Sequence, residues 1–206
     1  MIEQPGLHLE QALWSQGYKF IGGMDEAGRG AWAGPVMAAL VILPADPEIG
    51  LTLAGVRDSK TMSPLQRERA ALTIQAAALA WSLGEASAAE IDELGILPAT
   101  RLAFSRAIQN ASLLPDFLLL DYIHWPGLQN PHLTLKKGES QSLSIAAASV
   151  LAKTTRDRRM VSLDERVPGY SLARHKGYGT RIHAEALKRL GVSNIHRCSF
   201  SIPGRL

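Results

Sequence analysis

An α/β domain with a mixed sheet and a helical C-terminal part is the fold that the sequence predicts. Three observations lead there: short apolar runs of strand length bounded by glycine and proline, capped stretches of helical composition between them, and an order of strands first, then helix and strand in alternation. The chain has 206 residues, enough for one core that buries about 70–75% of the unfolded surface. No repeat and no Gly-, Ser- or Pro-rich linker divides it. Residues 1–206 are therefore read as one domain, with about 165–206 as a helical subdomain.

Each element follows from its residues. A short amphipathic opening contains Leu9, Leu13 and Trp14, after which Phe20 to Met24 and the apolar run Val36 to Leu43 read as strands joined by a glycine-bracketed turn. Leu53 to Lys60 reads as strand into loop. Ser63-Pro64 offers an N-cap followed by proline in the first turn, so a helix is predicted along the alanine-rich stretch to Ala80. Trp81 to Ala86 returns as a strand, and Leu97 to Ala111 is a helix with Pro98 near its start. Phe117 to Leu120 is wholly apolar and ends at Asp121, as a buried central strand would. Pro126, Gly127 and Pro131 mark a loop before a strand at His132 to Leu135. A helix rich in small residues runs from Ser140 to about Met160, and a last one from about Thr180 to Leu190 stops at Gly191.

Composition narrows the function. The single cysteine, Cys198, has no partner for a disulfide or for a zinc site, which fits a reducing cytosol; a cytoplasmic protein is expected. No apolar run is long enough to span a bilayer, and Met1 to Glu10 lack a basic start followed by an apolar stretch, so neither a membrane partner nor a leader is expected. A net charge of +3 and a pI of 9.2 permit binding of a polyanion without requiring it.

Two adjacent carboxylates, Asp25 and Glu26, stand after an apolar strand and before Gly28-Arg29-Gly30, where the backbone is free to approach a ligand. A solvated acidic turn is the plain alternative. Asp121 ends a buried run, at the strand end where α/β sheets bind ligands, or it opens a turn. Glu139 precedes a helix whose dipole favours an anion, or it is a routine helix-start acid. Four carboxylates drawn together repel one another, and one or two hard divalent cations, Mg²⁺ or Mn²⁺, relieve that repulsion. Such ions can hold the attacking water and the departing oxygen of a phosphodiester.

Four segments in order, Gly22-Gly23-Met24-Asp25-Glu26-Ala27-Gly28-Arg29-Gly30, Arg57-Asp58-Ser59-Lys60, Ser144 to Lys153 with Arg156-Asp157, and His175-Lys176-Gly177-Tyr178-Gly179-Thr180, resemble bacterial ribonuclease HII. The resemblance spans about residues 18 to 200. It implies an RNase H-like mixed sheet flanked by helices, and a Mg²⁺- or Mn²⁺-dependent endonuclease acting on RNA–DNA hybrids and on DNA containing ribonucleotides, with 3′-hydroxyl and 5′-phosphate products. On that resemblance, Asp25, Glu26 and Asp121 match metal ligands, and Glu139 stands at the fourth corner. Gly28, Arg29 and Gly30 match the motif that contacts the ribose 2′-hydroxyl, the group that separates RNA from DNA. Tyr178 matches a tyrosine that stacks on the next sugar, and Lys60 matches a phosphate-contacting lysine. The protein is expected to act as a monomer.

Other features of these segments read more plainly. The Ala146-Ala147-Ala148-Ser149 run is assigned to close packing of helix on sheet. Lys153, Arg156, Arg158 and Arg159 offer a basic face for DNA or complement the helix dipole, and Asp157 is read as a structural ion-pair partner.

The chain departs from the family pattern at Glu139, where Asp is usual, at Tyr122, where glycine is common, and at Gly95, where asparagine is common. Glutamate places its charge about 1.5 Å farther out, and octahedral Mg²⁺ tolerates such shifts poorly, so a preference for Mn²⁺ is expected. Three rival readings are a hybrid binder without turnover, ribonuclease HIII, and a plain α/β domain. Ribonuclease HIII fits less well, because it typically carries an N-terminal binding domain and Lys in place of Arg29.

Overall fold

The computed structural model describes residues 4–203. The opening segment forms helix α1 (His8–Ser15). Strand β1 (Ile21–Ala27) is followed by β2 (Val36–Ile42), which is buried along its whole length. After a short helix α2 (Ile49–Thr52), the segment Leu53 to Lys60, expected to be strand into loop, holds no strand: it is a turn, a stretch of loop and the start of a 3₁₀ turn at Ser59–Thr61 whose N-cap is Asp58. Helix α3 (Pro64–Ala77) starts as expected, with a reciprocal capping box between Ser63 and Gln66. Strand β3 (Ala80–Ala86) leads into α4 (Ala88–Leu94) and α5 (Ile96–Gln109). The first of these two helices was not foreseen, because seven residues are too few to display a helical period.

Strands β4 (Phe117–Asp121) and β5 (His132–Leu135) follow. A 3₁₀ turn at Gly138–Ser140 precedes α6 (Leu143–Arg166), so Glu139 lies in the turn ahead of the helix, and the helix begins later and runs longer than expected. Helices α7 (Leu172–His175) and α8 (Arg181–Leu190) are the last helices among the described residues.

The sheet is mixed and five-stranded, in the order β3-β2-β1-β4-β5. β1 pairs antiparallel with β2 and parallel with β4, and β5 extends the parallel side. This explains why β1 continues past Met24. Its pairing with β4 stops at Met24 opposite Leu120, but the ladder to β2 carries on to Ala27 opposite Met37. The backbone bonds of β2 thus hold Asp25 and Glu26 inside a strand, despite the low strand preference of acidic residues.

Two helical layers cover the sheet. On one face α3 and α6 bury Val41, Ile74, Ala147 and Leu151; on the other α5 buries Phe104 against Met24, Leu40 and Leu118. The small residues of α6 do let it approach closely: a Cβ on Gly23 would stand 2.2 Å from the Ser144 backbone. A further apolar cluster joins Ala33 to Met160, Leu163, Tyr170, Leu172 and Leu187 at the C-terminal end of α6.

At the opposite end of α6, the buried Glu10 of α1 caps the helix. Its Oε1 accepts from the Ser142 hydroxyl at 2.6 Å, the Ser144 hydroxyl at 2.7 Å and the Ser144 amide at 3.0 Å. Among the described residues, no helix is long and apolar enough to cross a membrane.

Candidate active site

Parallel pairing places the carboxyl ends of β1 and β4 side by side, so Asp25, Glu26 and Asp121 share one end of the sheet. Asp25 is 4% exposed, and its Oδ1 accepts from the Glu26 amide at 2.7 Å. Burial first, then the fields of Glu26 and Asp121, raise its carboxyl well above the usual range, against the lowering effect of the Ser149 hydroxyl and the Glu26 amide. Glu26 is raised by burial, although Arg29 opposes this through an ion pair of 3.2 Å.

Asp121 Oδ1 accepts from the Gly138 amide at 2.8 Å, which docks the turn carrying Glu139 against β4. Glu139 is itself buried, and its carboxyl is raised by burial and by Asp121. Partial desolvation pulls Lys60 down, but the fields of Asp25, Asp58, Glu139 and Asp121 outweigh it and hold the ammonium above its ordinary value.

The structure therefore places all four predicted carboxylates in one electrostatic neighbourhood. They do not form a finished ligand set: among the described residues, no three acidic, histidine or cysteine side chains are arranged to hold an ion. Each carboxylate leans on a local donor instead, while Glu26 Oε2 and Glu139 Oε2 are buried without a hydrogen-bond partner.

Beside the acids, an open cavity of about 590 Å³ is lined by Glu26, Gly28, Arg29, Gly30, Lys60 and Tyr178, with Ser59, Ser149, Arg67 and Lys153 completing its wall. The predicted reading residues thus meet in one cleft. Gly28 has φ +97°, and a Cβ there would stand 1.9 Å from Arg156 Nε. Gly30 differs, because a Cβ on it would meet nothing within 4 Å. The loop behind Tyr178 is tied down by His183, whose Nδ1 lies 3.0 Å from the Tyr178 carbonyl oxygen.

Sequence reasoning missed several parts of this cleft. Arg67 donates to the Ser59 and Met62 carbonyls and pairs with Asp157 at 3.2 Å, holding the turn that carries Lys60. Ser149 does more than allow close packing: its hydroxyl is 2.9 Å from that of Ser59. The helical period of α3 and α6 hints at neither the Arg67–Asp157 pair nor the Ser59–Ser149 contact, since each joins residues 90 positions apart. Arg156 is not part of a basic face; it is fully buried beneath the cleft. Asp157 keeps its structural role, pairing with Lys153 at 2.7 Å as well as with Arg67.

The family model for ribonuclease HII matches residues 22–202. Ribonuclease HII of Dehalococcoides mccartyi is 46% identical over 198 residues, which are 96% of this chain and 93% of that protein. Among solved structures, ribonuclease H2 of Pyrococcus horikoshii OT3 shares the fold with a TM-score of 0.71 at 23% identity, over 88% of this chain and 94% of that one. Bst-RNase HIII in complex with Mn²⁺ gives 0.68 at 18% identity, over 89% of this chain and 68% of that one. A match that runs through both strands bearing the acids and on to the C-terminal helices makes this chain a member of the ribonuclease HII family, and so a ribonuclease.

Proposed function

We propose that the protein hydrolyses the RNA strand of RNA–DNA hybrids and incises on the 5′ side of single ribonucleotides in duplex DNA, leaving 3′-hydroxyl and 5′-phosphate ends. The observation that carries this reading is a cluster of mutually repelling carboxylates beside the cleft in which one of them, Glu26, meets the Gly28–Gly30 turn and Tyr178.

The donor set fits a divalent cation. Carboxyls whose pKa is raised by burial and by neighbouring acids, with Glu26 Oε2 and Glu139 Oε2 left without partners, gain most from a hard cation with oxygen ligands. Asp25, Glu26, Asp121 and Glu139 would hold Mg²⁺ or Mn²⁺, as expected for a family with the fold of the Mn²⁺-bound Bst-RNase HIII. One or two such ions supply the activation of water and the neutralisation of charge that in-line displacement at a phosphodiester requires.

The rest falls to side chains and backbone of this chain. Lys60, held fully charged by the acids around it, binds a phosphate oxygen beside the scissile position. Arg67 and Lys153 line the same cavity and add positive charge along the path of the backbone. Packing does not demand the missing side chain of Gly30, which leaves close approach by a ligand as its use; the ribose 2′-hydroxyl is the group to be read there. Tyr178, half-buried on the facing wall, supplies an apolar face for the adjoining sugar.

The test is a duplex DNA carrying one ribonucleotide, incubated with Mg²⁺ or Mn²⁺, with the ends analysed. The expected result is a single metal-dependent cut 5′ of the ribonucleotide and an intact all-DNA control. Tight binding without cutting under either ion would instead identify a binder, and cutting of the all-DNA duplex would refute the reading of the 2′-hydroxyl.

A further inference from the structure

A 2′-hydroxyl and the sugar next to it lie at a fixed spacing, so the two protein segments that contact them must be held at a matching one. The Trp32 and Ala33 amides donate directly to the Gly177 carbonyl, at 2.8 and 3.3 Å, and one buried guanidinium hydrogen-bonds to both segments as well. Arg156 of α6 donates from Nε to the Pro35 carbonyl at 2.9 Å and from Nη2 to the Ala33 carbonyl at 3.2 Å, both on the segment that continues from Gly28–Gly30. Its Nη1 donates to the Lys176 carbonyl at 3.0 Å, on the segment that presents Tyr178. The guanidinium carbon lies 5.3 Å from the centre of the Tyr178 ring, and the positive φ of Gly28 folds that turn directly onto Arg156 Nε.

Burying a guanidinium is costly unless its donors are met, and here they are met by carbonyls of the two segments that form the cleft. A planar fork can join three carbonyls in fixed directions; a lysine ammonium on a flexible stem cannot hold the same spacing. Arg197 repeats the device on one side, donating to the Gly34 carbonyl at 3.0 Å and the Arg29 carbonyl at 2.9 Å. Only Arg156, of the two, also reaches the Tyr178 segment with a hydrogen bond among those described.

We propose that Arg156 is a positioning residue that sets the spacing between the Gly28–Gly30 turn and Tyr178, and through that spacing the preference for a ribonucleotide over a deoxynucleotide at the junction. The proposal rests on the reading of those two segments given above. It assigns to Arg156 no contact with the substrate and no part in the hydrolysis itself.

The measurement is the ratio of Kd values for an all-DNA duplex and the same duplex with one ribonucleotide, with divalent ions chelated so that nothing is cut. Partial unfolding of a variant weakens both affinities equally and cancels in the ratio. Arg156→Lys and Arg156→Gln should each lower the ratio by about tenfold, within the range that a shift of about 1 Å produces. Adding Tyr178→Ala to Arg156→Lys should lower it no further than Tyr178→Ala alone, because the two act through one contact.

A wild-type ratio in Arg156→Lys, independent multiplying effects in the double variant, or loss of all duplex binding would each overturn the proposal. If Tyr178→Ala alone leaves the ratio unchanged, the reading of the two segments fails and this proposal falls with it. If Tyr178→Ala lowers the ratio and Arg156→Lys does not, only the proposal fails.

Discussion

The segments that carry Gly28–Gly30 and Tyr178 have their carbonyls met from beneath by Arg156, Arg197 and His183. At the neighbouring sheet end the situation is reversed: burial and the field of Asp121 raise the proton affinity of Asp25, Glu26 and Glu139, and two carboxylate oxygens are left without partners. One half of the cleft has its carbonyls met as folded, and the other gains stability from extra protons or cations. On the function proposed above, the difference assigns recognition of the duplex and its hydrolysis to separate parts of the structure, and each should be removable without the other.

The largest expected effect tests that separation directly. Asp25→Asn should lower single-turnover cleavage by about 10³-fold, equivalent to several kcal/mol of lost charge stabilisation, while its Kd for the hybrid stays within about threefold of wild type. A collapse of affinity together with cleavage would show that the two halves are not independent. A smaller change concerns the corner at which this chain departs from its family. Glu139→Asp should raise the ratio of Mg²⁺-supported to Mn²⁺-supported cleavage by about tenfold, because the shorter side chain brings its oxygen nearer to an octahedral site. Glu139→Gln cutting as fast as wild type would remove Glu139 from the ligand set.

The smallest effect reports on the supports behind Tyr178. His175, His183 and His196 are buried together, His175 stacked on His183 and His183 Nε2 3.1 Å from His196 Nε2. Burial lowers the pKa of all three, that of His196 to about 4. Their folded pKa values lie below the unfolded ones, so the unfolded chain takes up more protons as pH falls from about 6.5 to about 4. The stability is fully present above that window and is lost on descending through it. Because the acids with raised pKa values act in the opposite direction as pH falls, the histidine contribution is read against a variant: between pH 7 and pH 5, without divalent ions, the melting temperature of the wild type should drop by on the order of 5 °C relative to that of His196→Gln. The same change with pH in both proteins would show that the histidines do not control it.

The sequence carried the acids and the reading turn because both sit in short contiguous motifs whose residue types have few other uses together. Asp121 was legible from the apolar run it ends, and the Ser63 cap from its own neighbours. What stayed hidden depends on partners far along the chain. The extension of β1 to Ala27 comes from the ladder with β2, which no local preference of Asp25 or Glu26 foretells. Arg156 reads as a surface charge in a basic stretch; its burial depends on carbonyls at Ala33 and Pro35, more than a hundred residues earlier. The histidine cluster joins three residues whose spacing, 175, 183 and 196, matches no familiar ligand pattern.

The cap that Glu10 places on α6 has a consequence for the order in which the fold forms. Its hydrogen-bonding partners Ser142 and Ser144 lie 132 and 134 positions farther along the chain, so the contact closes a long loop whose entropy must be overcome before the bonds reward it. Until it closes, the Glu10 carboxylate stays in solvent, and the start of α6, which follows the turn bearing Glu139, is held by its Ser142 cap alone. The anchor behind the Glu139 corner is thus a late contact, set by topology and not by local preference.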